Sequence, residues 1–144
     1  MDNSKRLLIY TDGASRNNPG PSAAAFIILK DNTIVCKKAY FIGENTNNTA
    51  EYQAIIDALK EASNITDGEV LVYSDSELVI KQINGQYKIK KDHLNQLCNR
   101  VKALQPEFKA VTFLHTSRNN KYIQIADGLC NECLDQQANK QEAT

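Results

Sequence analysis

Two acidic residues stand where a buried strand runs out. Asp12 follows LLIYT and Asp75 follows VLVYS, so each carboxylate ends a stretch whose apolar character suits a central strand. Two more acids lie on the apolar stripe of a helical pattern. Glu51 shares its stripe with Ile55, Ala58 and Ala62, at steps of four, three and four, and Asp127 shares one with Ile123, Cys130 and Leu134. An unpaired carboxylate facing a core is costly, so four such positions restrict the chain to folds that give them a common partner. Singly, each acid has an ordinary explanation as an ion-pair partner or a cap. Asp75 can cap the helix that follows it, and Asp12 can serve the turn at Gly13.

Together they point elsewhere. If the helices lean so that the acids converge where the strands end, they form an all-oxygen site suited to a hard divalent cation such as Mg²⁺ or Mn²⁺. Two such ions about 3.5–4 Å apart would clamp the attacking and leaving oxygens of a phosphodiester. Without a cation the carboxylates would repel one another and take up protons.

The order of elements bears on this convergence. Leu7 to Thr11 reads as a strand stopping at Asp12-Gly13, and SRNNPGP from Ser15 to Pro21 is a dense turn signal. Ala23 to Lys30 and Thr33 to Ile42 read as a hairpin turning at Asp31-Asn32. Ala50 to Ala62 is a helical pattern for which Thr49 is the expected N-cap. Glu69 to Ser74 is a strand, Glu77 to Ile83 a short helix closed by Asn84-Gly85, and Asp92 to Leu104 a helix ending before Pro106. Lys109 to His115 is a further strand, and Ile123 to Gln137 a last helix. The fold class expected is α/β: a mixed sheet, antiparallel hairpin plus parallel strands, flanked by helices.

The chain of 144 residues is the size of one domain, read as residues 1–138 with a loose polar tail over 139–144. Seventeen basic and 17 acidic residues balance, which removes any argument from net charge for a nucleic-acid partner without excluding one. The longest apolar run, Ala23 to Leu29, is far short of the ~18 residues that cross a bilayer. No signal-peptide pattern opens the chain, so a cytosolic monomer with no membrane partner is expected. Four scattered cysteines, Cys36, Cys98, Cys130 and Cys133, make no disulfide scaffold. The CxxC at Cys130 and Cys133 lies in an apolar helical pattern and reads as two small packed thiols.

From Leu8 to about Leu134 the sequence resembles type 1 (bacterial-type) ribonuclease H. YTDGASRNNPGP is similar to the first strand and loop of that family, TNNTAEYQAIIDAL to the loop and central helix, and VYSDSELVIKQING to the fourth strand and next helix. FLHTSR and then ADGL resemble the fifth strand, a mobile loop and the closing helix. The resemblance implies the five-stranded ribonuclease H-like fold. It also implies endonucleolytic cleavage of the RNA strand of RNA–DNA hybrids, leaving a 3′-hydroxyl and a 5′-phosphate. Asp12, Glu51, Asp75 and Asp127 are then the catalytic metal ligands, holding two Mg²⁺ ions when substrate is bound, with Mn²⁺ as a substitute. By the same resemblance Asp12 would bridge the pair. Hybrid contacts fall to Gly13, Ser15, Asn18, Asn47, Asn48, Glu51 and Ser76, reading 2′-hydroxyls in the minor groove. By the same resemblance Thr46 and Asn18 belong to a pocket for a phosphate of the DNA strand.

The chain departs from that pattern in two regions. His115 matches a strand position rather than the loop histidine of many members, and Arg118 falls where some prokaryotic members place an arginine, which gives it an auxiliary role in turnover. Ile123 stands where an asparagine is common, with Asn119 or Asn120 as its substitute. The second region lies between Gly85 and Leu94, where Tyr87, Lys88, Lys90 and Lys91 stand in place of a basic helical protrusion. Binding is therefore expected to be weak and salt-sensitive, with room for a broader specificity that includes double-stranded RNA. The rival from another class is a non-catalytic nucleic-acid-binding module on the same fold, which is expected to lack at least one acid. A histidine in KKDHL, His93, reads as a solvated residue at a helix start.

Overall fold

The computed structural model describes residues 6–142. Five strands form one mixed sheet: β1 (Leu7–Ser15), β2 (Gly20–Lys30), β3 (Thr33–Asn45), β4 (Glu69–Ser74) and β5 (Ala110–His115). Their spatial order is β3-β2-β1-β4-β5, with β2 antiparallel to both β1 and β3, and β4 and β5 parallel to β1. Helices α1 (Asn47–Ser63), α2 (Glu77–Ile83), α3 (Asp92–Leu104) and α4 (Lys121–Glu142) complete the fold. The expected mixed sheet and the order of elements are both present.

Strand alternation sorts the core into two layers. Leu7, Ile9, Phe26, Ile28, Val70 and Val72 pack with α1 and α3, against Tyr52, Ile55, Ile56, Leu59, Leu94, Cys98 and Val101. Tyr10, Ala23, Ala25, Ile27 and Leu29 face the other way and pack on Ile123, Ala126, Cys130 and Leu134 of α4. Three consecutive alanines on β2, Ala23 to Ala25, are wholly buried. The hairpin turns where expected: Asp31 and Asn32 both have positive φ, the requirement of a tight two-residue turn whose twist matches its strands.

Several boundaries differ from the sequence-based expectation. The first strand does not stop at Asp12 but runs on to Ser15, because β2 continues to pair with it through Asp12↔Ala25 and Ser15↔Ser22. Only the parallel partner ends early, at Tyr10↔Tyr73. Asp12 therefore sits just past the point where β1 and β4 part. Helix α1 begins three residues sooner than expected, and its N-cap is Thr46, not Thr49: the Thr46 hydroxyl accepts the Thr49 N–H at 3.2 Å. Residues 139–142, expected to be loose, continue α4, since a helix already docked on the sheet propagates through residues such as Lys140, Gln141 and Glu142 that favour helix. Residues 1–5 and 143–144 of the expected domain and tail lie outside the described residues.

One close approach governs the site. An added Cβ at Gly13 would lie 2.3 Å from the Ala50 carbonyl carbon and 2.4 Å from the Glu51 nitrogen, so the α1 backbone rests directly on β1. G13A is expected to destabilise the fold by about 3 kcal/mol, the upper part of the usual range for overpacking. Urea unfolding would register it; an unchanged midpoint would mean that α1 can retreat at no cost.

Candidate active site

Three carboxylates converge from three different elements. Asp12 on β1, Glu51 on the first turns of α1 and Asp75 at the residue after β4 each offer an oxygen within 4.8 Å of the other two. Asp12 is 5% exposed and Glu51 6%, while Asp75 is half-buried. The Glu51 stripe is as expected, with Ile55, Ala58 and Ala62 all buried beside it. Asp127 differs. Its stripe partners Ile123, Cys130 and Leu134 are buried, but Asp127 itself is exposed, because the stripe's edge overhangs a cleft rather than the sheet. It lines the same cleft beside Asp12, whose carboxyl it crowds, and Asn131 donates to its Oδ2 at 3.4 Å.

The cleft has a volume of about 600 Å³ and gathers Gly13, Asn47, Asn48, Ser76 and Arg118 around the four acids. The other three expected substrate residues, Ser15, Asn18 and Thr46, are outside it and serve the chain itself. The Ser15 N–H donates to Asn47 Oδ1 at 2.8 Å, and the Asn47 N–H donates to Asn18 Oδ1 at 2.9 Å. The Ser15 hydroxyl is turned to the Asn45 carbonyl at 2.7 Å, and Thr46 caps α1. These bonds tie the β1–β2 loop to the start of α1 and so hold Asn47 at the cleft's edge. Ser76 both lines the cleft and caps α2 through the Val79 N–H.

Arg118 lies on the loop before α4, its Nε 3.6 Å from Asp75 Oδ2 and its side chain 91% exposed. So open a pair contributes little stability. Asn120 caps α4, accepting from the N–H groups of Tyr122 and Ile123, while Asn119 reaches the cleft and Ile123 is buried at its floor. His115 ends β5, and His93 is exposed on the first turn of α3. Gln124 also lines the cleft and was missed by sequence reasoning. Its position three residues before Asp127 places it on the same helix face, and that spacing was available.

Electrostatics make the cluster unstable as a set of free carboxylates. Burial, then the charges of Asp75 and Asp127, push Asp12 up to about 8. Burial and the same crowding, from Asp12 and Asp75, raise Glu51 well above the usual carboxylate range, opposed by a hydrogen bond from the Gly13 N–H. Asp12 Oδ2 is buried with no hydrogen-bond partner among the described residues. Its neighbours are other carboxylates, which when ionised have no proton to give. An orphaned buried oxygen among hard oxygen donors fits a divalent metal ion.

Comparison with known proteins agrees with this geometry. A family model described as reverse transcriptase-like matches residues 10–133. A ribonuclease HI of Halobacterium salinarum is 36% identical over 93% of this chain and 67% of its own length. The crystal structure of RNase H1 from that archaeon superposes with a TM-score of 0.86 at 36% identity, covering 91% of this chain and 98% of that one. LC11-RNase H1, solved in complex with an RNA/DNA hybrid, superposes with a TM-score of 0.84 at 35% identity, covering 92% and 99%. A bifunctional protein of Mycobacterium tuberculosis is 33% identical over 90% of this chain, which spans only 36% of that protein's length.

A pH dependence follows from the buried acids. Between the ordinary aspartate value of 3.8 and about 8, Asp12 holds more proton in the folded than in the unfolded chain. Its contribution to stability is therefore complete below the lower value and lost as pH rises through the upper one. In chelator, the melting temperature is expected to fall between about pH 5 and about pH 9, and D12N to fall less. Parallel curves for the two proteins would remove Asp12 as the source.

Proposed function

Because the chain belongs to the type 1 ribonuclease H family, we propose that it hydrolyses the RNA strand of RNA–DNA hybrids, leaving 3′-hydroxyl and 5′-phosphate ends. The observation that carries the proposal is the unpartnered Asp12 Oδ2 inside a triad of carboxylates. A buried oxygen in that setting is poor at building a fold and good at holding a cation.

Asp12, Glu51 and Asp75 would hold Mg²⁺, with Asp127 completing the set when substrate brings in a second ion; Mn²⁺ would substitute. Bound there, the ions supply Lewis acidity and lower the pKa of water for attack on a phosphodiester. The chain's own groups do the rest. Gly13, Asn47, Asn48 and Ser76 rim the acids and offer backbone and side-chain polar groups to 2′-hydroxyls in a shallow minor groove. Ser15, Asn18 and Thr46 brace that rim, and the braced loop is also where a DNA-strand phosphate would rest. Arg118, with its forked guanidinium, would hold phosphate oxygens and ease their departure. All four acids come from one chain, in keeping with a monomer of one domain. Four free thiols suit a reducing cytosol, and among the described residues no helix is long and apolar enough to cross a membrane.

Matched RNA–DNA, RNA–RNA, DNA–DNA and single-stranded RNA substrates, each with Mg²⁺, Mn²⁺ or chelator, test the proposal. Metal-dependent cutting of the hybrid's RNA strand alone is expected. Cutting of double-stranded RNA as well would broaden the specificity, and binding without cutting would leave a non-catalytic module. D12N is expected to lower hybrid cleavage by at least about 1,000-fold, roughly 4 kcal/mol of barrier, with its circular dichroism unchanged. R118A is expected to slow turnover more than it weakens hybrid binding. A collapse of binding instead would make Arg118 a phosphate anchor.

A further inference from the structure

The last residue of β4 is a serine with no exposed surface. Its hydroxyl has one proton to give and two lone pairs to accept with. One lone pair is taken by the Ser76 N–H at 3.0 Å. The other partner of Ser74 Oγ is Glu51 Oε2 at 3.3 Å, a carboxylate that accepts, so the hydroxyl proton points at Glu51. Among the described residues it is the one hydroxyl that donates to Glu51.

The consequence is geometric. Glu51 arrives on α1, whereas Asp75 lies between Ser74 and Ser76 on the turn out of β4. A single oxygen thus ties the Glu51 carboxylate to the two residues flanking Asp75. The Ser76 N–H bond closes the backbone over Asp75, and the hydroxyl proton sets the rotation of Glu51. Being wholly buried, Ser74 touches neither substrate nor solvent. Hydrogen-bonded groups behind a ligating carboxylate fix its orientation, and their loss typically weakens metal binding by 10–100-fold.

We infer that Ser74 is a positioning residue for the divalent-cation site, aligning Glu51 and Asp75 as a pair. The inference rests on the metal-dependent reading above, and it concerns a residue that the carboxylate pattern alone does not single out. Two other roles for a buried serine are separable from it. A serine that only ends the strand would change stability and leave cation affinity alone, and one that only fills space would be replaced without effect by a group of similar size.

The experiment is a titration of Mn²⁺ into wild type, S74A, S74T and S74C. Free ion is counted by electron paramagnetic resonance, alongside melting curves in chelator. Wild type binds Mn²⁺, and S74A is expected to bind about tenfold more weakly, with S74T staying near wild type because it keeps the hydroxyl. Threonine is well suited to a strand. If S74A does not melt cooperatively, S74C replaces it, since a thiol fills the site but donates weakly, and the same loss is expected. Wild-type affinity in S74A or S74C overturns the inference, as does an equal loss in S74T. Absence of Mn²⁺ binding by wild type itself would instead overturn the metal-dependent reading, and the inference with it.

Discussion

Everything at this site depends on three carboxylates held closer than their charges permit. With oxygens within 4.8 Å, each ionised pair repels by on the order of 3 kcal/mol at an effective dielectric near 20. A flexible arrangement would relieve the repulsion by swinging one acid into water. This one is prevented from doing so because each acid rides on a different buried element. β1 is the central strand of the sheet, α1 buries Tyr52, Ile55, Ile56 and Leu59 against it, and β4 pairs in parallel with β1 as far as Tyr73. The hydrophobic layer beneath the site supplies the rigidity that the polar layer above would otherwise undo.

Small details at the seam set the spacing. Gly13 has no side chain, so α1 can lie against the strand and bring Glu51 over Asp12. Asn18 and Asn47 then fasten the β1–β2 loop to the same helix end, and Thr46 caps it. The exposed part of the cleft is built differently. Asp127 is exposed on α4 and Arg118 extends from a loop into solvent, so both can move without disturbing a core. Two buried acids and a half-buried one make a fixed half-site, while the exposed Asp127 and Arg118 beside them adjust to whatever enters.

Much of this was legible in the sequence because burying charge leaves a trace. Asp12 and Asp75 could be picked out as acids at the ends of apolar runs, and Glu51 as an acid on an apolar stripe, since ordinary folding has no use for a carboxylate there. The order of elements, a hairpin and then helices alternating with strands, pointed to the mixed sheet, and Asp31-Asn32 marked its hairpin turn. What failed was whatever hydrogen bonding decides. The extension of β1 to Ser15 depends on a ladder with β2 that hydrophobicity does not report, and Thr46 rather than Thr49 caps α1 because of the chain's path into the helix. Asp127 was misjudged for a related reason: helical periodicity gives the direction of a side chain, not whether the sheet beneath reaches that far. Ser74 was invisible because a serine at a strand end carries no signal until its two partners are known.

Balanced net charge takes on meaning beside this geometry. A polyanion approaching the cleft meets four acids and one arginine, so the bare site repels the strand it would cut. The connection between α2 and α3 offers Lys88, Lys90 and Lys91 on an exposed stretch, and no additional helix. Peripheral attraction is therefore modest, and a cation held by the acids would reverse the sign of the field at the centre, where a phosphate would otherwise be repelled. Binding and chemistry then depend on the same ion. Such an enzyme would gain little from grasping duplexes that it cannot cut.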